Sequence, residues 1–383
     1  MWYIVLMLSE FQKSWRKSRS RQLLVLSAGT LQSGVQGVFI DIGDAGWAIG
    51  AHSFVPYPAG LQEFIESMLN GGGSLSPAEY AVHDRRLSFC IAECAKNVLA
   101  QVPETHKNPH CAIVNTLQLY KTPAGAQERW CLELGDPLAA AMALKVPVLT
   151  GFMRQSLLND GSGELPLADG HRAIAAKAGG DFIIANIGIL SRMAIVLAGD
   201  QKAAFDSDIG PGTLLLNLAA RECGCAEGFD RDGTAALSGT VHDAALEALM
   251  SLDWFLKPFP KEATFAIFRG LCSHGSLTPL SPRDKLATLT AFSARLIFDC
   301  VRREYKDISG LNALWIAGGG AHNQALINYL EVWFGAGKIK STAELGIPPE
   351  AYIPTALGLA AASYLDNAGK DAREAGFGEW VLT

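Results

Sequence analysis

The sequence predicts an α/β chain of two domains. Apolar runs of strand length alternate with longer stretches of helical spacing, and glycine-bearing turns recur where the runs end. At 383 residues, 49% hydrophobic and 18% charged, the chain is long and apolar enough to bury two cores. Domain 1 is expected over 21–135 plus 353–383 and domain 2 over 136–352, after an N-terminal extension at 1–20.

The extension begins with "WYIVLML", and Lys13, Arg16, Lys17, Arg19 and Arg21 follow it. A signal peptide has the opposite order, and a membrane span needs about 20 apolar residues. Residues 1–20 are therefore read as a frayed extension or as the product of a poorly chosen start codon. Gln22–Ser27, Val35–Ile42 and Trp47–Phe54 read as strands. In "GGGSLSPAEY", Ser76 is an expected N-cap, Pro77 the first helical residue, and Glu79 the closure of a capping box. That helix runs to about Leu99, with Leu87, Ile91, Cys94 and Val98 near one face.

A strand is expected near Cys111–Asn115, a helix near Pro137–Leu144 and a strand at Val146–Thr150. "DFIIANIG" and "MAIVLAG" read as buried strands, and "DIGPG" as a glycine loop opening helix Thr213–Arg221. Helices follow near Val241–Leu252, Glu262–Cys272 and Arg283–Tyr305. "ALWIAGGGAHN" reads as strand, triple-glycine turn and helix, and a last helix covers roughly Pro354–Asn367.

The net charge of −6 argues against nucleic acid as a partner, because phosphate backbones need a basic face. No membrane partner is expected. The eight cysteines form no zinc-type framework, so reduced thiols and a cytoplasmic location are expected. Cys90 and Cys94, one helical turn apart, are expected in the core.

Three glycine loops carry the candidate chemistry: Gly29–Gly37, Asp208–Gly212 and Gly318–Gly320. Glycine lets backbone amides converge on a ligand with no Cβ in the way, and a helix start favours anions. Three such loops in this order suggest a two-domain actin-like ATPase fold, as in sugar kinases, Hsp70 and actin, with a central interdomain cleft for nucleotide. The alternative is that the glycines only make tight turns. Asp208 is equally a helix-start acid, and Asp230 and Asp232 in "FDRDG" are equally turn residues.

The resemblance to a family rests on an ordered set of segments. "WIAGGGAHNQALI" resembles the C-G-G-G-x-x-N segment of the anhydro-N-acetylmuramic acid kinase family. "LELGDPLAAAMALKVPV", "ANIG", "DIGPGTLLLN", "FDRDGTAALSG", "FPK" and "ATLTAFSA" resemble further family segments in the same order, from about Leu23 to Leu365. The resemblance implies ATP and Mg2+ as cofactors, an amino sugar from cell-wall recycling as substrate, and a homodimer. It also implies a reaction in which water opens the anhydro ring while phosphate passes to the sugar, helped by a carboxylate base. Residual nucleotide-binding positions, by resemblance, are Gly29, Thr30, Gly34, Asp208, Gly210, Gly212, Gly318, Gly319, Gly320 and Asn323. Arg154 is the candidate on the sugar side, and no residue is assigned to a metal.

The departures cluster on the reactive side chains. The family's G-T-S-x-D-G-x-D is "GTLQSGVQ", which puts Leu31, Ser33 and Gln36 where a hydroxyl and two acids stand. The base belongs to V-x-x-D-F-R-R-R-D, here "VLTGFMRQS": Gly151 replaces the aspartate, Met153 and Gln155 replace two arginines, and Ser156 replaces the second acid. "NTLQ", Asn115–Gln118, stands for the sugar-side H-G-Q-T. Ile189 and Arg192 replace a glycine and an asparagine of N-I-G-G-I-A-N. Glycine has no side chain to act as a base, and loss of a base costs about 10²–10⁴-fold. A kinase-like protein without the activity, a pseudokinase, is the first expectation. Asp160 is a weak substitute base. An active sugar kinase with altered mechanism or substrate, and a structural dimerisation partner, are the alternatives.

Overall fold

The computed structural model describes residues 2–29, 34–69, 74–122, 126–199, 204–305, 308–367 and 377–382. The chain divides into two compact units, 1–174 with 353–383, and 175–352. The first seven strands are β1 (Arg21–Ala28), β2 (Gly34–Gly43), β3 (Gly46–Pro56), β4 (Cys111–Asn115), β5 (Leu117–Lys121), β6 (Cys131–Leu134) and β7 (Val148–Thr150). The rest are β8 (Phe182–Ile187), β9 (Leu190–Val196), β10 (Ala204–Pro211), β11 (Leu314–Ala317), β12 (Ile339–Ser341) and β13 (Glu379–Val381).

The first unit's sheet runs β13-β7-β4-β1-β2-β3 and the second unit's runs β10-β9-β8-β11-β12. In the first, β1, β2 and β3 are antiparallel neighbours, and β4 and β7 continue in parallel. In the second, β8, β9 and β10 are antiparallel neighbours, and β11 and β12 continue in parallel. The two sheets share one strand order and one set of senses, apart from the added β13. This repetition is the layout of the actin-like ATPase fold. Parallel steps need a crossover, and helices supply it: Pro77–Leu99 leads from β3 to β4, and Pro282–Glu304 precedes β11.

Local chemistry explains the helix starts. Ser76 Oγ accepts Glu79 N (3.2 Å) and Glu79 Oε2 accepts Ser76 N (3.1 Å), the capping box expected before Pro77. Cys90 and Cys94 bury their side chains in this helix, whose apolar face covers β2. A Cβ at Gly37 would lie 2.7 Å from Cys94 Sγ, so the close approach requires glycine there.

The expectations need four corrections. Residues 136–174 belong to the first unit, because β7 pairs with β4 on one side and β13 on the other. The N-terminal segment is not frayed. Helix Trp2–Lys17 docks through Trp15, which is 0% exposed, donates from Nε1 to Asp366 (2.8 Å) and meets the His110 ring edge-on at 5.9 Å. "DIGP" is the end of strand β10, bulged between Asp208 and Gly210, and not a loop. The helix expected over Glu262–Cys272 reduces to Phe265–Arg269 with a 3-10 turn at Gly270–Ser273. Among the described residues, no helix is long and apolar enough to cross a membrane.

Candidate functional site

In the second unit two of the glycine segments meet at the end of β8. A Cβ at Gly212 would lie 2.2 Å from Gly188 O, one at Gly318 2.6 Å from Ile187 O, and one at Gly320 2.3 Å from Ile187 Cγ2. These glycines let two chain segments pass close against the end of β8 and the β8–β9 turn. Gly319 alone faces open space, with nothing within 4 Å. Gly210 has φ +142°, next to the bulge, with Leu296 2.8 Å from its Cβ position. Asn323 caps the helix Gln324–Phe334, its Oδ1 accepting Leu326 N at 3.0 Å. Its carboxamide oxygen thus serves the chain.

Asp208 is the one acid among the nucleotide-binding positions implied by the resemblance. Its Oδ1 lies 3.2 Å from Arg192 Nη1 and its Oδ2 accepts Ala263 N at 2.7 Å. Arg192 Nε donates to Asp206 Oδ1 at 2.6 Å. The register explains the pair: Arg192 on β9 is directly opposite Asp208 on β10, and Asp206 follows on the same face. Both acidic side chains are below one-fifth exposed, at 19% and 15%. A divalent cation needs carboxylate oxygens free to ligate it, and here a guanidinium takes one oxygen of each acid and a backbone amide takes the second oxygen of Asp208. The arrangement therefore does not fit Mg2+ at Asp208.

The amides at the start of helix Leu214–Glu222 are also engaged. Gly212 N donates to Ile189 O (2.8 Å), Thr213 N to Gly188 O (2.8 Å) and Leu214 N to Ile189 O (3.1 Å). A phosphate cradle needs such amides turned toward the ligand. Lys261, from "FPK", donates its ammonium to Phe255 O at 2.9 Å and lies over the rings of Phe259 (4.4 Å) and Trp254 (4.9 Å). Burial, with Arg303 adding repulsion, lowers its pKa to about 8. His322 pairs with Glu350.

In the first unit, Thr30, Leu31 and Ser33 lie outside the described residues. Gly29 O accepts from the Tyr57 hydroxyl at 3.4 Å. A Cβ at Gly34 would lie 2.2 Å from Val55 O, so this glycine serves the β2–β3 pairing. Gln36, where an acid was expected by resemblance, is 5% exposed and bonds His52 Nε2 through Oε1 at 2.7 Å.

Gly151 begins helix Phe152–Leu158 with φ +69° and ψ +25°. This left-handed conformation suits glycine and strains aspartate. The added Cβ would meet Glu379 of β13, with Cδ at 3.1 Å and Oε1 at 3.4 Å. Arg154 joins two acids, Nε 3.2 Å from Glu379 Oε1 and Nη2 3.7 Å from Glu133 Oε2. Asp160 is exposed. Burial raises the pKa of Glu133, Arg154 opposes that shift, and Glu379 adds to it. Sequence reasoning missed both glutamates. Glu133 stands in "LELGD" as an ordinary strand residue, and Glu379 lies in a C-terminal segment that no recognised motif reaches. The antiparallel β13–β7 pairing, Glu379 opposite Thr150, brings it to Gly151.

The family model for anhydro-N-acetylmuramic acid kinase matches residues 21–375. The chain is 28% identical over 332 residues to the anhydro-N-acetylmuramic acid kinase of Variovorax paradoxus (strain S110), covering 85% of this chain and 87% of that protein. It is 29% identical over 329 residues to the enzyme of that name from Pseudomonas paraeruginosa (strain DSM 24068 / PA7), with the same coverage, 85% and 87%. Among solved structures, the activator of the 2-hydroxyisocaproyl-CoA dehydratase from Clostridium difficile with bound ADPNP is similar at a TM-score of 0.44 and 12% identity. That match covers 93% of this chain and 99% of that one, and a likeness at this level carries no functional argument. With a match spanning both units, the chain belongs to the anhydro-N-acetylmuramic acid kinase family.

Proposed function

We propose that this member of a kinase family of cell-wall amino-sugar recycling keeps an amino-sugar site in its first unit and has lost ATP-dependent phosphoryl transfer. The observation that carries the reading is Arg192 across Asp206 and Asp208, which puts a fixed positive charge on the acid that the resemblance implies for nucleotide binding. Gly151 in place of the base and the engaged amides at residues 212–214 support it. Phosphoryl transfer depends almost wholly on positioned charge and donors, so these changes act on its main source of rate. The sugar side is supported by Arg154, which stays beside the two acids Glu133 and Glu379.

The test is incubation of the full chain with Mg·ATP and 1,6-anhydro-N-acetylmuramic acid. ADP and phosphorylated sugar are expected to stay at the no-enzyme background, and millimolar Mg·ATP is expected to leave Tm unchanged. Phosphorylated sugar above background overturns the reading. One observation favours an active kinase with a moved base: the Glu379 carboxyl carbon 3.1 Å from a Cβ at position 151. On that reading ADP forms, and Glu379→Gln abolishes it.

A further inference from the structure

In the second unit a cavity of about 270 Å³ lies where the end of helix Leu214–Glu222, the turn Gly270–Ser273 and the start of helix Pro282–Glu304 meet. Glu222, Cys272 and Lys285 line it, together with Leu277 and Leu280. Ser273 and Thr278 also line it and are exposed, so the cavity reaches the surface. A water molecule's share of liquid volume is about 30 Å³, so a reagent of two heavy atoms enters with room to spare.

Three reactive groups converge in it. Cys272 is 5% exposed, and its Sγ donates to Glu222 Oε1 at 3.8 Å. The Lys285 side chain is 12% exposed, and its ammonium donates to both oxygens of Glu222, at 2.9 Å to Oε1 and 2.6 Å to Oε2. Thiol and amine are thus held on one carboxylate oxygen. Burial raises the pKa of the Cys272 thiol, Lys285 opposes that shift, and Glu222 adds to it. The thiol therefore rests protonated, with its proton acceptor already in contact. His274, two residues on, is engaged elsewhere, its Nδ1 lying 2.8 Å from Ser276 Oγ.

We propose that Cys272 and Lys285 are an oxidative modification site, joined by a sulfur–nitrogen bond when hydrogen peroxide enters the cavity. The thiol passes its proton to Glu222, and the thiolate attacks one peroxide oxygen. The S–O bond forms, the O–O bond breaks, and the second oxygen leaves as hydroxide, which the proton on Glu222 converts to water. Sulfur loses two electrons and peroxide gains them. The Lys285 nitrogen then attacks the sulfur of the sulfenic acid. The S–N bond forms, the S–O bond breaks, and the hydroxyl leaves as water with one ammonium proton. A second ammonium proton passes through Glu222 to solvent. One thiol, one ammonium and one peroxide thus give a sulfenamide, two waters and a proton. A sulfenic acid is captured by whichever thiol or nitrogen stands beside it, and here Glu222 holds the amine in that place. The cavity lies within the second unit, so the proposal is independent of the amino-sugar reading.

Peptide mass spectrometry of the full chain after hydrogen peroxide, with remaining thiols alkylated and no reductant added, tests it. In wild type the tryptic peptide of Cys272 is expected to be joined to that of Lys285, at two hydrogen masses below their sum. Trypsin is expected to stop cutting after Lys285, and dithiothreitol to restore both peptides. Lys285→Arg keeps a cation on Glu222 but offers no amine, and is expected to abolish the link and leave Cys272 to sulfinic acid. Glu222→Gln is expected to slow the link at least about tenfold. The proposal is overturned if Cys272 in wild type stays unoxidised, ends as sulfinic acid, or forms a disulfide with Cys223 or Cys225. A link that survives in Lys285→Arg overturns it equally.

Discussion

Replacing Arg192 by asparagine separates an occupied cation position from an ordinary surface ion pair. Arg192 donates at 2.6 Å to Asp206 and lies 3.2 Å from Asp208, and the three side chains are 22%, 19% and 15% exposed. Removing one partner of a buried pair costs about 3–5 kcal/mol, because the remaining charge is left uncompensated. Some solvent reaches all three groups, and Asp208 Oδ2 keeps its bond from Ala263 N at 2.7 Å, so the low end applies, about 3 kcal/mol. For a unit the size of residues 175–352, 1 kcal/mol shifts Tm by about 2–4 °C, which gives a fall of about 6–12 °C. The two carboxylates, no longer bridged by the guanidinium, are then expected to accept a divalent cation. Mg2+ at about 100 times its Kd restores about 2.7 kcal/mol, nearly the whole loss. Differential scanning calorimetry of wild type and Arg192→Asn, with and without MgCl2, reads both effects. Wild type is expected to ignore Mg2+. A variant with unchanged Tm, or one destabilised but unresponsive to Mg2+, would refute the claim that the guanidinium fills a cation position.

Three further outcomes are expected. Gly151→Asp places aspartate at φ +69° with its Cβ 3.1 Å from Glu379 Cδ, so it destabilises the chain by about 1–2 kcal/mol in urea denaturation. Glu379→Ala in the same chain recovers part of that. Because burial raises the pKa of Glu133 above 4.5, the native state favours its protonated form. Its favourable contribution is present below the unfolded value and lost as pH rises through the folded one, so Glu133→Gln should gain stability over wild type at pH 7 relative to pH 4; equal gains at both would contradict this. Gly320→Ala drives a methyl to 2.3 Å from Ile187 Cγ2, whereas Gly319→Ala enters open space. Chemical denaturation is expected to show a loss of about 1–3 kcal/mol for the first and within about 0.5 for the second.

Much of the framework was readable one segment at a time. The capping box at Ser76 and Glu79 needs only residues three apart, and the first three strands needed only apolar runs with glycine turns between them. The docked N-terminal helix was not readable, because the partners of Trp15 and Arg21 include His110 and Asp366, far along the chain. The small β5–β6 sheet, which carries Gln118 and Glu133, was also missed, since strands of five and four residues are too short to stand out as a periodic run.

The site divides in the same way. The sequence by itself determined what is missing: a glycine at 151 carries no carboxylate in any fold, and Leu31, Met153 and Gln155 carry no charge. Tertiary structure alone decided what stands in the vacated places. Arg192 covers Asp208 because the β9–β10 register sets them opposite each other, and Glu379 meets Gly151 because β13 pairs with β7. Those pairings are made by backbone hydrogen bonds between strands and by the faces they bury. A shift of one residue would send each side chain to the other face of its sheet, so side-chain identity alone cannot specify the contact.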